Sequence, residues 1–404
     1  MAHTIALIGA LDTKGPEYQF VRECIAARGH QTLLIDVGVL GAPAVIADVS
    51  RGEVARAGGA DLGALQARKD RGEAVAAMSR GAAVLLPRLH AEGRFDGVIA
   101  LGGTGGTSVA CTAMRALPLG VPKVMVSTVA GGDVSGYVGV QDIVMIPSIV
   151  DVSGVNQISR QVFARAAGAI CGMVEAQVPT GADRPLITAS MFGNTTPAVE
   201  AAKAILERAG YEVLVFHCTG IGGRTMESLV DAGLIAGVLD ITTTEWADQL
   251  VGGVLAAGPT RLEAAARKGI PAVVAPGCLD MVNFWAPETV PAKFQGRKFY
   301  PHNPNVTLMR TDIDECRRLG EILAEKLNAS RGPVTVVLPL RGVSMIDSPG
   351  GAFWWPEADQ ALYAALKGKL RPDIPVVELD CNINDPLFAE TCAGRLLEYL
   401  GRAD

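Results

Sequence analysis

VIALGGTGGTS, residues Val98–Ser108, is the stretch whose reading decides the fold. A short apolar run ends in two glycine pairs interleaved with hydroxyl residues, and Val109–Leu117 then reads as a helix. Strand, glycine-rich turn and helix in that order form a phosphate cradle. Glycine lets backbone N–H groups approach an anion, and the helix N-terminus adds a favourable dipole. The spacing is not that of a Walker A loop, because no Lys-Ser/Thr pair follows the glycines, and GGTGGTS does not fit G-x-G-x-x-G either. The competing reading is a plain tight strand–helix connection.

Outward from this stretch the chain reads as two related halves. Strand Thr4–Ile8, a helix from about Glu17 to Ala27 and strand Thr32–Asp36 open the first. Strand Leu186–Met191, helix Pro197–Ala209 and strand Glu212–Phe216 open the second. Phe95–Gly103 then corresponds to Ile235–Thr243, and Gly120–Thr128 to Gly269–Gly277, each of the latter pair entered through Gly-x-Pro. Apolar strands alternating with helices point to parallel sheets covered on both faces. The expected fold is α/β: two tandem doubly wound, Rossmann-like domains with mainly parallel sheets and a weak internal duplication. The domains are placed at 1–178 and 184–404, with Ala176–Pro185 as the linker.

Composition narrows the classes. The 404 residues are 49% hydrophobic and 19% charged, which fits well-buried globular domains and excludes a disordered chain. A net charge of −6 and no long basic run argue against an extended nucleic-acid surface. The N-terminus lacks a signal-peptide pattern, and no apolar run is long enough to span a bilayer. Eight cysteines without C-x-x-C spacing read mainly as buried free thiols. A cytoplasmic protein without a membrane or nucleic-acid partner is expected.

In doubly wound sheets ligands bind beyond the carboxyl ends of the strands, so the chemistry is sought in the loops found there. In the first half these loops supply Asp12, Thr13 and Lys14, then Gly102, Gly103, Thr104, Gly105, Gly106 and Thr107, then Ser127, Gly131, Gly132 and Asp133. Asp12 and Lys14 either shape a turn or face a phosphate. Asp133 could hold Mg²⁺ or a ribose, or cap the next turn. In the second half the substrate-side residues are Asn194, Thr195, Thr196, Thr219, Gly222, Gly223, Arg224, Thr243 and Arg310, with His217, Glu227 and Glu245 as catalytic candidates. His217 also reads as a satisfied core residue, and Glu227 as a first-turn capping residue. No G-x-S-x-G elbow and no zinc spacing among the five histidines occurs.

The chain resembles the tomato mosaic virus resistance protein-like ATP-binding domain family. The resemblance rests on LDTKG (Leu11–Gly15), the block Gly102–Thr128 and DVSGVNQISRQVF from Asp151 in the first half. In the second it rests on MFGNTTPAV from Met191, VFHCTGIGGRTMESL from Val215, DITTTEWADQL from Asp240, GCLDMVNF from Gly277, HNPNVTLMRT from His302 and NINDPLFA from Asn382. It implies ATP binding at Gly102–Thr107, with Asp12–Lys14 and Gly131–Asp133 as neighbours, Mg²⁺ accompanying the nucleotide, and a homodimer. It also implies that the TIM-barrel-like domain of the plant member is absent from this chain. Three functions follow as expectations. The first is an ATP-dependent enzyme, a phosphotransferase or ligase type, acting on a small-molecule acceptor in a cleft between the domains. The others are a non-catalytic nucleotide-binding homodimer, and a lyase or hydrolase whose glycine loop holds an anionic substrate.

Overall fold

The computed structural model of the protein describes residues 2–179, 181 and 183–401. The chain divides into two compact units, Met1–Thr180 and Gly181–Asp404. The first unit contains five strands: β1 (Thr4–Gly9), β2 (Gln31–Asp36), β3 (Gly97–Gly102), β4 (Lys123–Ser127) and β5 (Val144–Pro147). They form one parallel sheet in the order β2-β1-β3-β4-β5. Alternate residues leave opposite faces, as the period-2 geometry of a strand requires. Ile5, Leu7, Ile99 and Val124 pack with Tyr18, Phe163 and Ile170 of helices Leu11–Ala26 and Gln157–Glu175. Ala6, Ile8, Val98 and Met125 pack with helices Arg71–Ala91 and Thr104–Arg115 on the other side. The sheet is therefore doubly covered, which explains its unbroken apolar strands.

The second unit contains β6 (Leu186–Met191), β7 (Glu212–His217), β8 (Ile235–Thr242), β9 (Ala272–Gly277), β10 (Met281–Phe284), β11 (Phe299–Asn303), β12 (Val306–Arg310), β13 (Val334–Pro339) and β14 (Val376–Leu379). Six of these form a parallel sheet, β14-β13-β9-β8-β6-β7. A separate antiparallel sheet has the order β10-β12-β11. Within each unit the first four strands lie in the same sheet order, β2-β1-β3-β4 and β7-β6-β8-β9. The four paired segments of the duplicated pattern thus occupy equivalent places, and the α/β tandem fold is what the alternation describes.

Two boundaries differ from the sequence reading. The glycine-rich residues themselves form the first turn of helix Thr104–Arg115 rather than a loop ahead of it. A Cβ on Gly102 would lie 3.0 Å from Cα of Gly106, so the helix starts directly against the strand end. Likewise the helix after β1 begins at Leu11, with a break at Lys14 where φ is −128° and ψ 17°. Pro16 follows, at a place where its missing N–H is tolerated.

β1 and β3 are the strands between which the first sheet reverses its order. The Tyr18 hydroxyl bridges them: it lies 2.6 Å from the Ile8 carbonyl and accepts the Leu101 N–H at 2.8 Å. Gly9 makes this possible, because a Cβ there would overlap the Tyr18 ring. Among the described residues no helix is long and apolar enough to cross a membrane.

Candidate functional site

Beyond the carboxyl ends of β1 and β3 the first unit opens a cleft of about 640 Å³. That volume is in the range of small-molecule and cofactor sites, and the place is the topological switch point where doubly wound sheets bind ligands. Gly102 to Gly106 form its floor. Gly103 precedes the helix, and no side chain caps the helix start. The N–H groups of Thr104, Gly105 and Gly106 therefore present the positive end of a three-turn helix with no side-chain acceptor. A Cβ on Gly105 would meet only Arg71 and Val75, at 3.6 and 3.8 Å. Gly105 thus keeps a space open toward the cleft.

The walls come from β1, β2 and a helical segment that the sequence reading left undescribed. Lys14 lines the cleft, but its ammonium donates to the Val152 carbonyl. Asp12 accepts from the Leu40 and Gly41 N–H groups at 2.7 and 3.1 Å, fixing the loop after β2, while its other oxygen is buried without a partner. Thr13 is exposed beside them. Helices Arg51–Ala57, Leu62–Arg68 and Arg71–Ala91 fill the stretch between β2 and β3. Their caps are legible: Ser50 with Glu53 forms a capping box, and Asp61 and Asp70 each accept an N–H three residues on. This segment brings Leu65, Val75, Lys69 and Arg71 to the cleft.

Other residues assigned to the nucleotide stand apart from the cleft lining. Thr107 is buried, donating to the Gly103 carbonyl at 2.9 Å and paired with the Ser127 hydroxyl at 2.6 Å. These two hydroxyls lock the helix start to β4 instead of facing a ligand. Gly131, Gly132 and Asp133 form an exposed turn. Asp133 accepts the Ser135 N–H at 2.9 Å, and hydrogen bonding from Ser135 lowers its pKa. Its role is the turn cap. No group of three or more His, Cys, Asp or Glu side chains among the described residues is arranged to hold a metal ion.

In the second unit most of the assigned substrate and catalytic residues are spent on internal contacts. Glu245 is fully buried, and its Oε1 accepts the Gly220 and Gly223 N–H groups at 2.7 and 3.1 Å. The glycine turn before helix Ile221–Asp231 therefore already holds an anion, the protein's own carboxylate. A Cβ on Gly223 would collide with that carboxylate, and one on Gly222 with the His217 carbonyl. Arg261, buried, closes the cluster, pairing with Glu245 at 2.7 Å, Asp240 at 2.5 Å and Glu227 at 3.5 Å. Arg310 is equally buried, donating to the Phe353 carbonyl at 2.8 Å and pairing with Asp359 at 2.7 Å and Asp347 at 3.5 Å. The sequence reading turns Glu245 and Arg310 toward an acceptor; desolvation and these ion pairs make both internal.

The hydroxyl residues behave the same way. Thr195 pairs with Thr242 at 2.9 Å, Thr243 donates to the Ala275 carbonyl at 3.1 Å, and Thr196 sits 3.4 Å from the Phe192 carbonyl. The Asn194 carbonyl accepts from Asn384 and Met345 at 2.9 and 3.0 Å. His217, Thr219 and Arg224 are exposed, with His217 edge-on to Phe192 at 5.3 Å.

This burial has a pH signature. Desolvation raises Glu227 to about 7 against the pull of Arg261, and raises Asp248 to about 7 against hydrogen bonds from Asn283. Burial also raises Asp280 and Asp359, each raised further by the Asp347 charge. The folded state then binds more protons than the unfolded state between about pH 4 and the raised values. Stability from these groups is full below the unfolded pKa and is lost as pH rises through the folded one. Thermal unfolding of the second unit is expected to drop by on the order of 5 °C from pH 5.5 to pH 8.5. A flat or rising profile in buffered scanning calorimetry would contradict this assignment.

Fold and cleft together define a two-unit α/β protein with an open cleft at the switch point of its first sheet. The chain belongs to the uncharacterised protein family UPF0261: the N-terminal domain model matches residues 3–179 and the C-terminal domain model residues 184–400. A UPF0261 protein of Clostridium tetani is 50% identical over 402 residues, covering 99% of this chain and all of the relative. One from Rhizobium meliloti is 48% identical, covering 96% of each. The tomato ToMV resistance protein Tm-1(GCR237) is 45% identical over 336 residues, 81% of this chain and 45% of that protein.

Proposed function

We propose that the first unit binds a nucleotide, ATP with its Mg²⁺, in the cleft at the β1–β3 switch point. The observation that carries this is the uncapped, glycine-built start of helix Thr104–Arg115 opening onto a space of about 640 Å³. The N–H groups of Thr104 to Gly106 suit a phosphate, which takes both the hydrogen bonds and the dipole. Val37, Val39 and Leu65 on the wall suit a base. The adenosine rests on the family resemblance. Asp12, Asp70 and Asp151 are the carboxylates of the cleft lining. Asp70 already caps a helix, and Asp12 and Asp151 would be the ones to meet a magnesium ion carried by phosphate oxygens; Asp133 lies outside the lining.

The reading is binding rather than turnover by the second unit. Glu245 and Arg310, two of the acid–base and anion-binding candidates there, are consumed by buried ion pairs, and the exposed His217 and Arg224 stand without the carboxylate and guanidinium that would work beside them. The nucleotide then acts by stabilising one conformation or the homodimer that the resemblance implies. Eight cysteines, all free, support a reducing compartment, the cytoplasm.

Calorimetric titration with Mg·ATP tests the proposal, alongside Gly105→Asp. A Cβ at Gly105 meets only ordinary contacts, and the added carboxylate competes with an anion at the helix N-terminus. Micromolar binding in the native protein and a loss of about 100-fold or more in the variant, with unchanged melting, is expected. Equal affinity in both proteins would move the nucleotide elsewhere, and no heat in either would end the nucleotide reading.

A further inference from the structure

The helical segment between β2 and β3 carries two cations to the cleft on a turn whose geometry is fixed from both sides. Helix Leu62–Arg68 ends at Lys69, whose φ of 53° puts it in the left-handed region. Asp70 then caps helix Arg71–Ala91 by accepting the Glu73 N–H at 2.9 Å. Lys69 and Arg71 thus flank a cap, and both line the cleft. Arg71 Nη2 sits 3.6 Å from the position a Gly105 Cβ would take, so the guanidinium lies across the first turn of helix Thr104–Arg115.

Two positive ends therefore oppose each other over one space, a guanidinium and an uncapped helix start. Such a pair repels unless an anion lies between them. Neither Lys69 nor Arg71 has an ion-pair or hydrogen-bond partner among the described side chains, whereas the adjacent Arg68 is paired with Glu73. Lys14, the third cation of the lining, already donates to the Val152 carbonyl. The unspent positive charge of the cleft is concentrated opposite the glycine turn.

We propose that Lys69 and Arg71 form a cationic clamp that takes the outer phosphates of a polyphosphate whose inner phosphate rests on the Gly103–Gly106 turn, making the site selective for nucleoside triphosphates over monophosphates. This deepens the nucleotide reading and rests on it. A single phosphate on the glycine turn meets Arg71 across the helix start; a chain of phosphates extends to Lys69 as well. Arg71 supplies a planar fork matched to phosphate oxygens, and Lys69 a point charge. The two residues are specificity determinants, since neither is placed against a bond to be broken.

The test is calorimetric titration of the full chain with Mg·ATP, Mg·ADP, AMP and inorganic tripolyphosphate, for the native protein and for Lys69→Met, Arg71→Met and Arg68→Met. All three positions are exposed, so folding is checked simply by melting temperature. The native protein is expected to prefer ATP to AMP. Either clamp variant should weaken ATP and tripolyphosphate by about 10–100-fold; Lys69→Met should leave AMP within about 2-fold, and Arg71→Met should weaken AMP by less than it weakens ATP. Arg68→Met should match the native protein. ATP binding that survives in both clamp variants, or an equal loss of ATP and AMP, overturns the clamp while leaving the nucleotide site standing. A native protein that binds none of the four overturns clamp and nucleotide reading together.

Discussion

Arg261→Ala is expected to cost the second unit ~3–5 kcal/mol, a large share of the stability of a domain. Arg261 is buried among Asp240, Glu245 and Glu227. Removing it leaves carboxylates in a low-dielectric interior with no cation, and that stranded charge is far more costly than the net worth of the pairs. Equilibrium urea unfolding measures the loss. Glu245→Gln makes the informative contrast. Its amide oxygen can still accept from Gly220 and Gly223, so it should lose markedly less than Arg261→Ala. If Arg261→Ala stays within about 1 kcal/mol of the native protein, Arg261 is not the counter-charge that holds this cluster.

Gly9→Ala carries the largest expected effect on the first unit, a loss of ~3–5 kcal/mol. The new methyl would overlap the Tyr18 ring, which is fully buried. The ring has no room to retreat without giving up its hydroxyl contacts to Ile8 and Leu101. Those contacts join β1 to β3 below the cleft, so ligand affinity should fall with stability. Tyr18→Phe separates the two components. It removes the acceptor for the Leu101 N–H without overpacking and should cost only ~1–3 kcal/mol. Equal losses in the two variants would show that the hydrogen bonds, not the glycine's space, dominate.

The strand plan was readable because its cause is periodic. Val98–Leu101 and Ala272–Ala275 are continuous apolar runs bounded by Gly or Pro, and such runs suit a doubly covered sheet. The paired segments of the two halves fell into equivalent sheet positions for the same reason. The antiparallel β10-β12-β11 sheet was not legible, since Phe299–Asn303 is mostly exposed and carries no apolar alternation. The segment Ser50–Ala91 had explicit caps at Ser50, Asp61 and Asp70, and those caps were the signal by which Lys69 and Arg71 could have been found.

The site was legible where the backbone makes it and obscure where side chains choose partners. Gly102–Gly106 announces itself as a glycine-rich run at a strand–helix junction, where Gly102 packs against Gly106 with little room for a Cβ. Glu245 and Arg310 look identical in sequence to ligand-facing residues. Their partners, Arg261 at a separation of 16 residues and Asp359 at 49, are set by tertiary packing. A hydroxyl such as Thr107 is equally silent about whether it faces a phosphate or, as here, Ser127.

The Glu245 carboxylate seated on the Gly220–Gly223 amides makes the two halves thermodynamically unlike despite their shared strand plan. In the second half the Gly220 and Gly223 amides are already taken by a carboxylate of the same chain, so that turn offers them to no anion from solution. Under the proposed nucleotide binding, the first half would instead take its anion from solution, and its stability would rise with the logarithm of the free ligand concentration. On that reading, a duplicated architecture would have one half whose melting follows the ligand concentration and one whose glycine turn answers only to its own carboxylate.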